Sequence, residues 1–232
     1  MRKQNMPEEA AAQTKRLGPK GKLLIGVLAV LLLTLVGIRL HSWTEQRGEA
    51  RVIVLVNPWN GVDNTGFTPN LQTVESVQVD KSCAKALKQM LADCREAGCV
   101  PTLTAGYRSR EEQLALFNHE VDRLMAAGLS ADQAYSRAEE TVGLPGTSEH
   151  ELGLAVDLED SAAQGWLREN AWRYGFILRY PEGSMEITGR IPDPAHFRYV
   201  GLAASEQIQT MGVTLEEYMG MFFTQQAEII FE

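Results

Sequence analysis

Hydrophobic positions are distributed very unevenly along the chain. Residues 23–38, LLIGVLAVLLLTLVGI, form one apolar run without a charge. That run is slightly short of the roughly 20 residues a spanning helix needs, and Lys22 and Arg39 can extend it by reaching toward the headgroups. From residue 51 the pattern changes to short alternating segments separated by stretches of helical spacing. VIVLV at 52–56, VESVQV at 74–79, VPTLTAG at 100–106, the exit of TSEHELGLAVDL, FILRY at 176–180 and HFRYV at 196–200 read as strands. A helix from about Lys81 to Ala97 can be capped by Asp80 and ended by Gly98. Ser109 with Glu112 opens a second helix, on which Leu114, Phe117, Val121 and Leu124 recur at helical spacing. Ser130 with Gln133 opens a third, residues near 162–174 form another, and Thr214 with Glu217 caps a terminal one. The Asn-, Gly- and Pro-rich stretch from 57 to 69 and the break at Gly143, Pro145 and Gly146 are loops. Short strands and separate helices, without regular βα alternation, predict an α+β fold. We expect a small, mainly antiparallel sheet flanked by helices in a single catalytic-size domain, with an N-terminal transmembrane helix added.

The resulting organisation is a basic tail at 1–22, a transmembrane signal anchor at 23–40, a polar stalk at 41–50 and a globular domain at 51–232. A cleaved signal peptide is the rival reading, but the nearest small-x-small site, Gly48-Glu49-Ala50, lies far past the apolar run. The basic flank predicts a cytoplasmic N-terminus and a domain outside the membrane of a single-pass protein. Charge sharpens this division. Residues 1–40 hold seven Lys/Arg against two Glu, so the formal net charge of −8 leaves −13 for the remainder. An acidic domain lacks the basic footprint of a nucleic-acid binder. The three cysteines, Cys83, Cys94 and Cys99, match no usual zinc spacing and read as small buried apolar residues. Cys83 and Cys94 sit roughly 16 Å apart on a continuous helix, too far to bridge. A Cys94–Cys99 bridge around the helix end, leaving one free thiol, is the alternative reading.

Candidate chemistry concentrates in two of the four histidines. His150 precedes Asp157 in SEHELGLAVD, and His196 follows Asp193 in DPAHFRYVG. Asp157 falls inside an apolar strand, where a carboxylate is costly unless paired or bound to a cation. Two imidazoles and one carboxylate make a catalytic-type zinc set that leaves the fourth tetrahedral position for water. His41, beside the apolar run, and His119, on the outer part of a helix, read as solvated. Trp166, Trp172, Tyr174 and Phe176 read as core.

SEHELGLAVD, DPAHFRYVG and the upstream GYRSREEQ together resemble the VanY-type D-alanyl-D-alanine carboxypeptidases, zinc peptidases of bacterial cell walls. The resemblance extends from about Val52 to Phe222 and includes LVNPWN, ENAWRYGFILRYP and ITG before the last histidine. It implies that His150, Asp157 and His196 hold zinc, that Arg108 stabilises the developing oxyanion and helps hold substrate, and that Ser148 lies near the substrate carboxylate. Tyr107, beside Arg108, is an aromatic candidate for the cleft wall. Where this family has Glu-Pro-Trp-His, the chain has Asp193-Pro194-Ala195-His196. Asp193 is therefore the expected general base on a stem one methylene shorter, roughly 1.5 Å less reach. Glu186, Glu149 and Glu151 are the alternative bases.

The implied activity is zinc-dependent removal of the terminal D-alanine from peptidoglycan stem peptides. An L,D-carboxypeptidase of the same family is one alternative. A wall-binding or sensory module that has lost turnover, suggested by Asp193 and Ala195, is another.

Overall fold

The computed structural model describes residues 51–221, so the basic tail, the expected anchor at 23–40, the stalk at 41–50 and His41 lie outside the described residues. No helix among the described residues is long and apolar enough to cross a membrane. After a 3-10 turn at Val62–Asn64 comes a hairpin of β1 (Leu71–Val74) and β2 (Val77–Asp80), closed at Glu75-Ser76 with Glu75 at φ 52°. The alternating run at 74–79 thus belongs to two strands. Asp80 then accepts from Ser82 N and starts α1 (Lys81–Glu96). After β3 (Thr102–Ala105) come α2 (Arg110–Ala126) and α3 (Ala131–Thr141), both opened by the predicted capping boxes. The remaining elements are β4 (Ala155–Glu159), α4 (Ser161–Asn170), β5 (Phe176–Tyr180), the single turn α5 (Met185–Thr188), β6 (Asp193–Tyr199) and α6 (Leu202–Met211). A last helix starts at Leu215, where Thr214 and Glu217 make the predicted capping contacts. Helices beside small antiparallel sheets make this an α+β domain, as the pattern predicted.

Strands β3, β4, β6 and β5 form one antiparallel sheet in that spatial order. Side chains alternate across a strand, so the sheet has two chemically distinct faces. Leu103, Val156, Leu158, Phe176 and Phe197 pack with Leu87, Met90 and Leu91 of α1 and Ala163 and Leu167 of α4 in the main core. The intervening positions Asp157, His196, Arg198 and Arg179 occupy the opposite face. The α2–α3 pair has a small core of its own, built from Phe117, Leu124, Ala134 and Ala138.

Three local expectations are corrected. VIVLV at 52–56 pairs with no strand, because its carbonyls are taken by buried arginines. Arg198 Nη2 donates to Val52 O and Val54 O at 3.0 and 3.1 Å, and Arg179 Nη2 reaches Val56 O at 3.4 Å. Leu114 is exposed, and Gln113 instead lies buried on α2, donating to Val142 O and Gly143 O at the end of α3. The helix near 162–174 stops at Asn170 and continues as a 3-10 turn, Ala171–Tyr174, ended by Gly175.

Candidate metal centre and active site

The site stands on the polar face of the sheet. Asp157 of β4 and His196 of β6 are cross-strand partners in register, and Ala105 of β3 faces Asp157 from the other side. His150 arrives from a tight turn, Glu149–Leu152, that precedes β4. Gly153 closes that turn at φ 67°, where an added Cβ would stand 2.9 Å from Asp80 N. Only glycine fits this conformation and this contact.

His150, Asp157 and His196 each offer a ligand atom, and these atoms lie within 4.8 Å of one another. His150 Nε2 is 3.3 Å and His196 Nδ1 3.0 Å from Asp157 Oδ1. The far nitrogen of each ring is separately engaged. His150 Nδ1 lies 2.6 Å from Gly106 O, and His196 Nε2 lies 3.4 Å from Glu149 Oε2. Protons on those outer nitrogens satisfy the two acceptors and turn both imidazole lone pairs toward the Asp157 carboxylate. Three electron-rich atoms facing one point repel one another unless a cation or extra protons intervene, so this donor set fits a divalent metal. The three side chains also set one another's ionisation. Burial alone would raise the Asp157 carboxyl, yet His150 and His196 hold it well below the ordinary range. Burial would lower His196, but hydrogen bonds to Asp157 and Glu149 lift it to about 9, whereas burial dominates at His150 and lowers it.

Beneath His196 lies a cluster that sequence reasoning did not find. Glu149 is fully buried, and burial opposes its charge, but Arg179 and Arg198 drive its carboxyl below the ordinary range. Arg179 Nε and Arg198 Nη1 donate to Glu149 Oε1 at 2.8 and 3.0 Å. Arg179 also grips Glu216 at 2.6 and 2.9 Å, and Glu216 accepts from Asn57 Nδ2. Glu149 is thereby a positioning residue for His196 and is not a free base. The signal was present as alternation, since His196-Phe197-Arg198 places arginine and histidine on one face.

Above the metal-type cluster is a cleft of about 200 Å³ walled by Arg108, Ser148, Asp157, Tyr180, Arg190, Asp193 and His196, with Leu116, Glu140 and Val142 at its α2–α3 side. Arg108 Nη2 donates to Asp157 Oδ2 at 2.9 Å, leaving Oδ1 for the cluster. Ser148 is buried at the turn before His150. Asp193 Oδ1 accepts from Ala195 N at 2.9 Å, so Oδ2 is its uncommitted oxygen. Tyr107 is not part of the cleft wall; its amide is tied to Gln78 O, and Tyr180, whose ring lies 5.0 Å from that of His196, takes the aromatic position. Arg190 was also missed: its guanidinium donates to Glu139 O, Thr147 O and Thr147 Oγ1, tying the end of α3 to the Ser148 loop. Of the alternative bases, Glu186 is exposed and outside the cleft, and Glu151 is spent on Gly146 N and Arg110 Nε.

Fold and site together define an α+β domain with a three-ligand centre of the hydrolytic type at the floor of a small cleft. The chain belongs to the VanY family, described as D-alanyl-D-alanine carboxypeptidase, whose profile matches residues 76–202. It is 36% identical over 174 residues to a D-alanyl-D-alanine carboxypeptidase of Enterococcus faecalis, a match covering 72% of this chain and 65% of that protein's length. This chain therefore spans just under two thirds of that relative. Among solved structures it is similar to a zinc(II) complex of the vancomycin-resistance D,D-pentapeptidase VanY from a VanB-type cassette, with a TM-score of 0.70 at 36% identity over 73% of this chain and 99% of that one. It is similar also to VanYB in complex with D-alanine-D-alanine, with a TM-score of 0.69, 36% identity and coverage of 73% and 97%.

Proposed function

We propose that this protein is a zinc-dependent D,D-carboxypeptidase that removes the terminal D-alanine from peptidoglycan stem peptides. The observation that carries the reading is the convergence of His150 Nε2, Asp157 Oδ1 and His196 Nδ1 on one point at the floor of a cleft. The solved relatives with zinc and with D-alanine-D-alanine support the metal and the substrate class.

His150, Asp157 and His196 would hold zinc, which would supply Lewis acidity to polarise the scissile carbonyl and to lower the pKa of a bound water toward neutrality. The chain's own groups do the rest. Arg108, held in place by Asp157, faces the position where negative charge develops on the carbonyl oxygen, and a fixed guanidinium there costs no reorganisation. Asp193 takes the proton of the attacking water on Oδ2 and returns it to the departing amine. Ser148 and Arg108 hold the substrate's terminal carboxylate. The modest cleft volume suits the end of a peptide more than a large ligand.

The test is mass spectrometry of defined stem peptides after incubation with the zinc-loaded protein. Release of one D-alanine from a pentapeptide stem, abolished by a chelator and restored by zinc, is the expected outcome. Release only from a tetrapeptide stem establishes the L,D-activity, and tight binding of peptide at full zinc loading without cleavage establishes a non-catalytic wall-binding role.

For its cellular place, we infer a single-pass anchor at 23–40 with the catalytic domain on the extracytoplasmic side. The uncharged run between Lys22 and Arg39 supports this, as does a substrate that lies outside the membrane.

A further inference from the structure

The end of α1 carries a structural device that the reaction does not use. Cys99 N donates to Cys94 O at 3.1 Å, and Gly98 N donates to Arg95 O at 2.9 Å. Gly98 sits at φ +88°. These two bonds around a left-handed glycine make a Schellman motif, with Cys94 three positions inside the helix end and Cys99 just beyond the glycine. The motif brings the side chains at those two positions together. Here they are two thiols, and Cys99 Sγ makes only a long contact, 3.8 Å, with Ala162 O. Both lie at the edge of the main core, Cys94 fully buried and Cys99 partly exposed.

We propose that Cys94 and Cys99 are a modification site, oxidised to a disulfide that staples the C-terminus of α1 to the chain entering β3. Disulfides need Cα atoms about 4.4–6.8 Å apart, a span that chain ends already joined by a 6→1 backbone hydrogen bond satisfy without moving. Cys83 cannot compete. It lies eleven residues earlier on the same helix, roughly 16 Å away at 1.5 Å per residue, and its thiol is directed to Asp80 O and Gly153 O at 3.1 and 3.6 Å. The oxidant is an organic disulfide, small or carried on a protein. The partly exposed Cys99 attacks first as thiolate, because burial and the neighbouring Cys99 sulfur push the Cys94 thiol up to about 12. One sulfur of the oxidant leaves as a thiol and the other forms a mixed disulfide with Cys99. Cys94 then loses its proton, attacks Cys99 Sγ and expels the second thiol. Two protein thiols give up two electrons and two protons, and the oxidant's S–S bond is reduced to two thiols.

The bridge braces the strand that leads directly to Gly106 and Arg108. Its closed loop is short, so the stabilisation is modest, equivalent to a Tm rise of roughly 4–8 °C.

Arg95 lies between the two cysteines, which makes the bond directly readable. The full-length protein is equilibrated with oxidised glutathione, denatured, alkylated and digested with trypsin without reductant. The expected product is one species joining the Gln89–Arg95 and Glu96–Arg108 peptides, split by reductant, from a chain that migrates as a monomer on a non-reducing gel, with Cys83 recovered alkylated. Separate alkylated peptides, a link to Cys83, or a joined species found only in covalent dimers overturns the proposal. Reductant should also lower the Tm of the oxidised protein while leaving a Cys94→Ala/Cys99→Ala variant unchanged. An equal response in both proteins refutes the staple.

Discussion

Asp193 is where a single methylene matters most. It occupies the position at which the resembling family carries glutamate, lines the cleft, and keeps only Oδ2 uncommitted. Replacing it with alanine should lower kcat about 10²–10⁴-fold, the usual value of a positioned acid-base group. Steady-state kinetics with zinc content measured on the same samples checks this, and a loss that merely tracks lost zinc would refute the role. Restoring glutamate is the sharper experiment. A gain shows that the shorter stem limits the rate, and a loss shows that the backbone around Ala195 is adapted to aspartate. Glu149 makes the opposite case, a carboxylate next to the metal cluster with no free oxygen. Converting it to glutamine leaves Arg179 and Arg198 short of a buried counter-charge, and breaking such a buried pair costs about 3–5 kcal/mol. At roughly 2–4 °C per kcal/mol for a domain of this size, calorimetry should show a Tm fall of roughly 6–20 °C.

At the scale of elements, the metal-type site is a product of strand register. Asp157 and His196 meet because β4 and β6 pair one to one at that position, and a slip of either strand by one residue would turn its ligand into the apolar core. His150 is brought in separately, by a turn whose ring nitrogen rests on Gly106 O. Gly106 itself presses against the hairpin: a Cβ there would come 2.3 Å from Gln78 O. Gly106→Ala should therefore push β2 and the β3 exit apart and shift the carbonyl that orients His150. Loss of such an outer contact typically costs 10–100-fold in metal affinity. Competition titration against a coloured chelator reads that loss, with circular dichroism confirming an intact fold; unchanged affinity would remove Gly106 O from the account.

For the whole molecule, the prediction concerns attachment to the membrane through residues 23–40. Full-length protein is expected to sediment with membranes through high salt and alkaline carbonate and to be released by detergent, whereas a chain lacking residues 1–40 should stay soluble. A mature N-terminus found beyond Ala50 in cells would instead establish cleavage. What the sequence alone determined is what local chemistry encodes: the capping boxes at Ser109 and Ser130, the strand around Asp157, the family motifs and hence the three metal-type residues. Signals of that kind depend on neighbours within a few positions, so they survive in one dimension. Tertiary structure alone decided the rest. It turned VIVLV from a strand into an acceptor for Arg198 and Arg179, moved the aromatic wall from Tyr107 to Tyr180, and converted Glu149 from a possible base into the brace of His196. Each of these depends on which distant group meets a given side chain, and a low-dielectric interior makes polar pairing compulsory while local spacing shows at most the face and never the partner.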